Sequence, residues 1–208
     1  MSLKGDIMDK PVNTLLVDLE TSPVKGYWWK GMYEVNPIKI LEHSRILSYA
    51  YKWYGEAEIK CVSQRMFKTY EKDKVDNKML VSSLVDLYSK AEFVVGHNLK
   101  AFDDRVANKG VLLNGLKPPP RHRVIDTLTI SRANFNLDSH KLDDLAALLG
   151  VGRKLPHTGF PMWEGCMEGN IKDWYLMEKY NKHDIFLLEG VYNKFRPFIE
   201  RPKLKRIR

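Results

Sequence analysis

The sequence predicts an α/β fold in which a mixed five-stranded sheet is flanked by helices. Three strand-like segments follow one another after the first dozen residues, helical and strand-like segments then alternate, and a long amphipathic helix comes last. Successive strands favour antiparallel pairing, whereas strands separated by helices can pair in parallel. This order therefore predicts a mixed sheet with helices packed on it.

The first three strands are predicted from apolar and aromatic runs. Leu15, Leu16 and Val17 begin the first strand. After a long aromatic-rich connection, the segments ILSYAYKWYG and EIKCVSQ form two more, joined by a turn at Gly55. We expect these strands to pair antiparallel.

The middle of the chain alternates between helix and strand. VDNKMLVSSLVDLYSK has helical periodicity, and FVVGHN is a short buried strand. A helix that begins near Phe102 carries Val106 and Leu113 on one face, and it must end before the prolines at 118–120. RVIDTLTI is the fifth predicted strand.

Two helices and a loop complete the prediction. SHKLDDLAALLG is a helix with a start signal at Ser139 and a stop at Gly150. Residues 151–170, which are rich in glycine and proline, are predicted to form a loop, and the last helix runs from about Ile171 to Phe195. The whole order fits a ribonuclease-H-like fold.

The length of the chain indicates its domain organisation, and its net charge indicates the class of partner it binds. The 208 residues suffice for one well-packed domain. We expect that domain at 14–198, after an N-terminal extension at 1–13 and before a basic C-terminal tail at 199–208. The formal net charge of +8 favours a polyanionic partner such as nucleic acid, although a charge of this size also serves solubility alone.

The cysteines and the N-terminus indicate a reducing compartment. Cys61 and Cys166 are far apart and lie in no metal-ligand spacing, so neither a disulfide framework nor a zinc site is predicted. The first residues lack the apolar core of a secretory signal, and no run of about 18 apolar residues is present. We therefore expect a cytoplasmic protein without a membrane partner.

Two carboxylates at the end of the first strand are the main anomaly of the sequence. Side chains alternate along a strand, so Asp18 and Glu20 share one face with Leu16. Like charges this close raise each other's pKa. A cation or a strong hydrogen-bond network must offset them.

Two further carboxylates are placed where they can join this pair. On the last helix, Asp184 lies on an apolar stripe, and Tyr180 is one turn before it on the same face. After the FVVGHN strand, either Asp103 or Asp104 reaches the sheet edge where α/β folds commonly bind ligands. Asp103 and Asp104 also fit a purely structural role, because acidic residues favour helix N-termini.

These stretches resemble the three motifs of a known nuclease superfamily. VDLET, GHNLKAFD and YNKHD are similar to the motifs of the DEDD, or DnaQ-like, 3′–5′ exonucleases. The tyrosine version of the third motif fits, because the histidine version would need histidine where Lys179 stands. His183, next to Asp184, projects about 100° away and is a poor general base for that site. The later segments resemble a branch found in phage and prophage genomes.

The resemblance implies a two-metal mechanism at a carboxylate site. Asp18, Glu20, Asp103 and Asp184 would hold two Mg²⁺ or Mn²⁺ ions roughly 3.5–4 Å apart, one generating hydroxide and the other stabilising the leaving 3′-oxygen. Tyr180 would orient the attacking water. The catalytic set is therefore Asp18, Glu20, Asp103, Tyr180 and Asp184.

Substrate contacts are predicted around this centre. Asn98 and Phe102 would shape the site and contact the terminal nucleotide. Trp28 and Trp29 either stack on bases or simply pack a long loop. Lys154 and His157 are candidates to contact phosphate, although exposed lysines are usually only solvated.

The expected activity is 3′–5′ exonucleolytic hydrolysis, with single-stranded DNA as the first choice of substrate and RNA as the alternative. Three competing hypotheses remain: a structure-selective endonuclease on the same fold, a catalytically inactive nucleic-acid-binding module, and a phosphodiesterase for small dinucleotides. The sequence identifies neither a replication or repair partner nor the oligomeric state.

Overall fold

A computed structural model describes residues 13–31 and 36–199 of the chain. The predicted N-terminal extension and the basic tail therefore lie outside the described residues, apart from Asn13 and Ile199. The main sheet has five strands in the order β5-β4-β1-β6-β7. The strands are β1 (Thr14–Thr21), β2 (Lys25–Tyr27), β3 (Lys39–Glu42), β4 (Ile46–Trp53), β5 (Lys60–Ser63), β6 (Phe93–Gly96) and β7 (Arg123–Asp126).

Seven α-helices accompany the strands in the described ranges of the chain. They are α1 (Thr69–Lys72), α2 (Lys78–Tyr88), α3 (Asp103–Leu113), α4 (Thr127–Asn134), α5 (Leu142–Leu148), α6 (Phe160–Glu168) and α7 (Ile171–Ile199), with a short 3₁₀ helix at Gln64–Met66. None of the helices within the described ranges is both long and apolar enough to cross a membrane.

The sheet is mixed, as predicted. Strand β1 pairs antiparallel with β4 and parallel with β6, while β4 pairs antiparallel with β5 and β6 pairs parallel with β7. Gly55 lies in the turn between β4 and β5 with a positive φ of 94°, a conformation that glycine adopts readily. The five strands with flanking helices form the predicted ribonuclease-H-like fold.

Alternation along β1 distributes its side chains between two cores. Leu15, Val17 and Leu19 pack with α2 and α3 on one face. Leu16 packs on the other face with Ile185 and Leu188 of α7. Because Asp18 and Glu20 follow Leu16 at two-residue steps, they are directed to the α7 side of the sheet.

Helix α7 carries the predicted apolar stripe. Its core-facing side chains are all buried: Met177, Tyr180, Asp184, Leu187, Leu188 and Val191. The helix extends four residues beyond the predicted end. Asp184 thus faces the sheet, as its position in the stripe indicated.

Two secondary-structure predictions were wrong near β7. RVIDTLTI is a strand only as far as Asp126, and helix α4 begins at Thr127. The Asp126 carboxylate accepts hydrogen bonds from the backbone N–H groups of Leu128 and Thr129, which caps the helix and ends the strand. The start signal assigned to Ser139 was also wrong, because Lys141 is the cap and the Ser139 hydroxyl donates to Asp144.

The loop predicted at 151–170 contains helix α6. Its proline stands in the first turn, where no N–H is needed, and Gly169 ends it in the left-handed region with a φ of 92°. The glycine and proline therefore mark the two ends of a helix rather than its absence. In the aromatic connection after β1, the short strands β2 and β3 form a separate antiparallel pair that was not predicted.

Candidate metal centre

Three carboxylates meet between β1 and α7. Asp18 and Glu20 come from β1 and Asp184 from α7, and one carboxylate oxygen of each lies within 4.8 Å of the others. Asp184 is only 1% exposed. A group of three oxygen ligands with this spacing could hold a metal ion, and hard divalent cations favour such ligands.

Asp103 adjoins this group without belonging to the set of three. Its side chain is 3% exposed, and its Oδ1 accepts a hydrogen bond of 3.1 Å from the backbone N–H of Leu19, between Asp18 and Glu20. Asp104 lies elsewhere, with its Oδ1 3.7 Å from Nε2 of His122. Of the two candidates at the start of α3, Asp103 is therefore the one directed toward β1.

Burial and mutual repulsion raise the pKa values of these carboxyls. Burial, followed by the charges of Asp184, Asp103 and Glu20, raises the pKa of Asp18 well above its usual value. Burial, with a further contribution from Asp184, raises the pKa of Glu20 to about 7. Burial raises that of Asp103 to about 7 even though the Leu19 N–H favours the ionised form. The site therefore takes up protons readily when no cation compensates its charge.

Neutral hydrogen-bond donors orient two of the carboxylates. The fully buried Asn181 donates from Nδ2 to Asp18 Oδ2 at 2.7 Å, and it accepts from the Ser48 hydroxyl at 3.0 Å. The indole N–H of Trp163, in α6, donates to Glu20 Oε2 at 3.2 Å. These contacts fix the carboxylates in position without neutralising them.

Lys154 supplies a positive charge at this centre. Its Nζ donates to Asp184 Oδ2 at 2.6 Å and to the Tyr180 hydroxyl at 2.9 Å. Burial alone would lower the pKa of Lys154, but the Asp184 carboxylate outweighs it and raises the pKa above the usual value. Asp184 itself keeps a raised pKa because burial outweighs the effect of Lys154. Asp143 holds the Lys154 backbone by accepting its N–H at 2.7 Å.

The residues present fit a divalent cation. The second oxygen of Asp184, Oδ1, is buried and has no hydrogen-bond partner among the described residues. An unpaired buried carboxylate oxygen is costly unless something binds it. Together with the neighbouring oxygens of Asp18 and Glu20, it offers the donor set that Mg²⁺ or Mn²⁺ prefers.

Aromatic rings border the centre on the α6 side. The ring of His157 lies edge-on to Trp163 and Tyr180, with centroids 5.0 and 4.9 Å away. Burial raises the pKa of Tyr180 to about 12, so its hydroxyl stays protonated at neutral pH. His183 is directed away and donates from Nε2 to the backbone carbonyl of Arg153 at 2.7 Å, consistent with the poor base expected there.

The remaining substrate-binding candidates lie around the carboxylate group rather than within it. Asn98 adopts a φ of 68° just after β6, a left-handed conformation that asparagine tolerates, and its backbone N–H donates to Asp126. Phe102 is 42% exposed at the start of α3. Trp29 is 69% exposed beyond β2, whereas Trp28 is half-buried.

Two residues at this centre were missed in the sequence. Asn181 follows Tyr180 and lies three residues before Asp184, so its place on the same helix face could have been inferred. Trp163 was hidden because its segment was predicted to be a loop. Lys154 was expected to contact phosphate, and its ion pair with Asp184 depends on tertiary folding that local sequence does not reveal.

Comparison with known proteins supports the fold. The chain is similar to the solved structure of the family B DNA polymerase from the hyperthermophilic archaeon Pyrobaculum calidifontis, with a TM-score of 0.67 and 15% sequence identity. The match covers 91% of this chain but 25% of the polymerase chain. No protein-family model and no curated protein matches the sequence. At this identity the likeness concerns the fold alone.

Proposed function

We propose that this chain is a metal-dependent 3′–5′ exonuclease that hydrolyses single-stranded DNA to nucleoside 5′-monophosphates. One observation carries the proposal: carboxylate oxygens of Asp18, Glu20 and Asp184 lie within 4.8 Å of one another. They come from the first strand and the last helix of a ribonuclease-H-like fold. Asp18 and Glu20 lie in the first of the three motifs described above and Asp184 in the third, while the second motif contributes Asp103.

The proposal assigns the metal ligands by position. Asp18, Glu20 and Asp184 would hold the ions, with Asp103 as a further ligand beside Leu19. When bound, divalent cations would activate water and neutralise charge on the scissile phosphate and leaving oxygen. Mg²⁺ and Mn²⁺ suit this all-oxygen donor set.

The protein's own residues would position the reactants. The protonated hydroxyl of Tyr180 can orient the attacking water by a hydrogen bond, and its high pKa argues against removal of the water's proton by the phenolate. Lys154 can contact a phosphate oxygen if its ammonium leaves Asp184. Asn181 and Trp163 keep Asp18 and Glu20 from rotating.

An open cleft next to Lys154 supports a polyanionic substrate. Its volume is about 650 Å³. Its lining includes Asn98 and the cationic side chains of Arg132, Lys141 and Lys154, together with Asp138 and Asp143. Cationic side chains along a groove are the usual means of binding a nucleic-acid backbone. Exposed Phe102, at the start of α3, is available to stack on a terminal base.

A nuclease assay with end-labelled strands tests the proposal. We expect stepwise loss from the 3′ end of single-stranded DNA with Mg²⁺ or Mn²⁺, and none with EDTA. Cutting of circular strands would instead indicate an endonuclease. DNA binding without hydrolysis under all metal conditions would contradict the proposal that the chain is an enzyme. Labelled RNA run in parallel decides the sugar preference.

Variants connect the activity to the carboxylates. Asp18→Ala and Asp184→Asn should each lower the rate at least about 100-fold, since loss of a residue that merely orients a ligand costs 10–100-fold. Asp86→Asn, a matched control at an exposed position of α2, should retain wild-type activity. Full activity of Asp184→Asn would refute the assignment.

A further inference from the structure

A second cavity lies on the other face of the sheet from α7. It has a volume of about 250 Å³ and is enclosed by α2, α3 and the segment that leads into β7. Apolar side chains form most of its wall, among them Leu84 and Val85 of α2, Ala107 and Val111 of α3, and the prolines at 118–120.

Three polar atoms in this wall are buried and lack a hydrogen-bond partner within the described part of the chain. They are the Tyr88 hydroxyl, Oδ1 of Asp104 and Nδ1 of His122. Tyr88 is only 3% exposed, and its ring packs edge-on against His122 with centroids 5.1 Å apart. The Asp104–His122 approach of 3.7 Å is too long for a hydrogen bond.

Unpaired buried polar groups are rare, and three around one cavity call for an explanation. Either ordered water or a bound molecule must pair with them. The carboxylate of Asp104 needs a donor, whereas the Tyr88 hydroxyl can donate to an acceptor. A matching molecule therefore has an apolar body and carries both a donor and an acceptor.

The volume limits the size of that molecule. A cavity of about 150 Å³ binds benzene, so by proportion 250 Å³ has room for roughly ten non-hydrogen atoms. A bicyclic heterocycle has this size. Nucleobases are flat, and adenine and cytosine place a donor and an acceptor side by side on one edge.

We propose that this cavity binds a nucleobase, with its polar edge directed to Tyr88, Asp104 and His122. The site is separate from the carboxylates, although Asp104 immediately follows Asp103 in α3. A bound base would hold the first turn of α3 and thereby the neighbouring Asp103. The proposal does not depend on the nuclease activity, because binding can be measured without hydrolysis.

Calorimetric titration of the full chain in EDTA tests this site. The probes are adenine, hypoxanthine, cytosine and thymine, the corresponding nucleosides, and a short single-stranded oligonucleotide. We expect saturable binding of at least one free base. Binding of the oligonucleotide alone would be explained by the cleft beside Lys154 and would overturn the proposal. Absence of any binding at about 1 mM would leave water as the occupant of the cavity and would overturn it too.

Two variants and a control locate the binding. Tyr88→Phe removes one hydrogen bond and Asp104→Asn replaces a charged acceptor by a weaker neutral one, so each should weaken binding about tenfold. Tyr49→Phe removes another buried hydroxyl, one that already bonds Ser83 and lies outside this cavity, and should leave the affinity unchanged. Equal affinity in wild type, Tyr88→Phe and Asp104→Asn would assign the binding elsewhere. If Tyr88→Phe fails to fold, Asp104→Asn, at the partly exposed start of α3, still decides.

Discussion

Each carboxylate of the candidate metal centre has a different partner, and most of these partners are neutral. Asn181 holds Asp18, Trp163 holds Glu20, and the Leu19 N–H holds Asp103. These donors orient the oxygens but leave their charges in place. Lys154 is the cation that contacts Asp184, so one ammonium stands against four carboxylates. The uncompensated charge is the strongest physical reason to expect bound cations.

The pH dependence of stability follows from these charges. The folded pKa of Glu20 is raised from 4.5 to about 7, so the metal-free folded state binds a proton that the unfolded state releases. Its free energy of unfolding should therefore fall as pH rises from about 4.5 to 7 and level off above. One pKa unit corresponds to about 1.4 kcal/mol, so a rise from 4.5 to about 7 corresponds to about 3 kcal/mol.

Urea denaturation in EDTA across this pH range measures the effect. Glu20→Gln should flatten part of the decline, because glutamine does not titrate. Mg²⁺ or Mn²⁺ should stabilise the wild type more at pH 8 than at pH 5, since cations compete with protons for the same oxygens. A stability that rises through this window would contradict the raised pKa values.

Tyr180 allows a milder test at the same centre. Tyr180→Phe removes a hydroxyl but no metal ligand, so we expect a roughly tenfold slower rate, equivalent to about 1.4 kcal/mol in the barrier. Single-turnover hydrolysis of a 3′-labelled oligonucleotide measures this. Tyr175→Phe, on an exposed part of the same helix, serves as the control. A wild-type rate for Tyr180→Phe would show that the hydroxyl plays no part.

At the scale of elements, helix α7 connects the fold to the site. It contributes Tyr180, Asn181 and Asp184, and it also carries Gly190, against which Val151 packs so closely that a Cβ would clash with the valine side chain. Val151 begins the segment that leads to Lys154. The absence of a side chain at Gly190 therefore lets Val151, three residues before Lys154, pack directly on α7.

Gly190→Ala should disturb this packing. Overpacking typically costs about 1–3 kcal/mol, and the displaced segment should also lower nuclease activity through Lys154. Urea denaturation and the nuclease assay together measure both effects. Lys194→Ala, an exposed position on the same helix, is the matched control. Unchanged stability of Gly190→Ala would show that the segment relaxes without cost.

The elements also show what local sequence could and could not reveal. The alternation in β1 and the stripe of α7 were predicted correctly because each follows from its own periodicity. The end of β7 was missed because Asp126 both ends the strand and caps helix α4. Helix α6 was missed because the proline and glycine that suggested a loop stand at its two ends. The bond from Trp163 to Glu20 joins residues 143 positions apart, so no local pattern indicates it.

At the scale of the whole molecule, the net charge of +8 should act through the cleft beside the carboxylates. Contacts from Arg132, Lys141 and Lys154 to three phosphates would give a slope of about −2 for log K against log salt on a single strand. Fluorescence anisotropy with the Asp18→Ala variant measures this without hydrolysis. Arg132→Ala should reduce the slope by about 0.7. Binding that is independent of salt would argue against a phosphate-contacting cleft.

Anomalous scattering from crystals soaked in Mn²⁺ shows directly whether the clustered carboxylates hold divalent cations. We predict anomalous density in contact with the oxygens of Asp18, Glu20 and Asp184, with Lys154 moved away from Asp184. The density should vanish in Asp184→Asn crystals. Density that is absent from this centre, with Lys154 still paired to Asp184 at saturating Mn²⁺, would contradict the account.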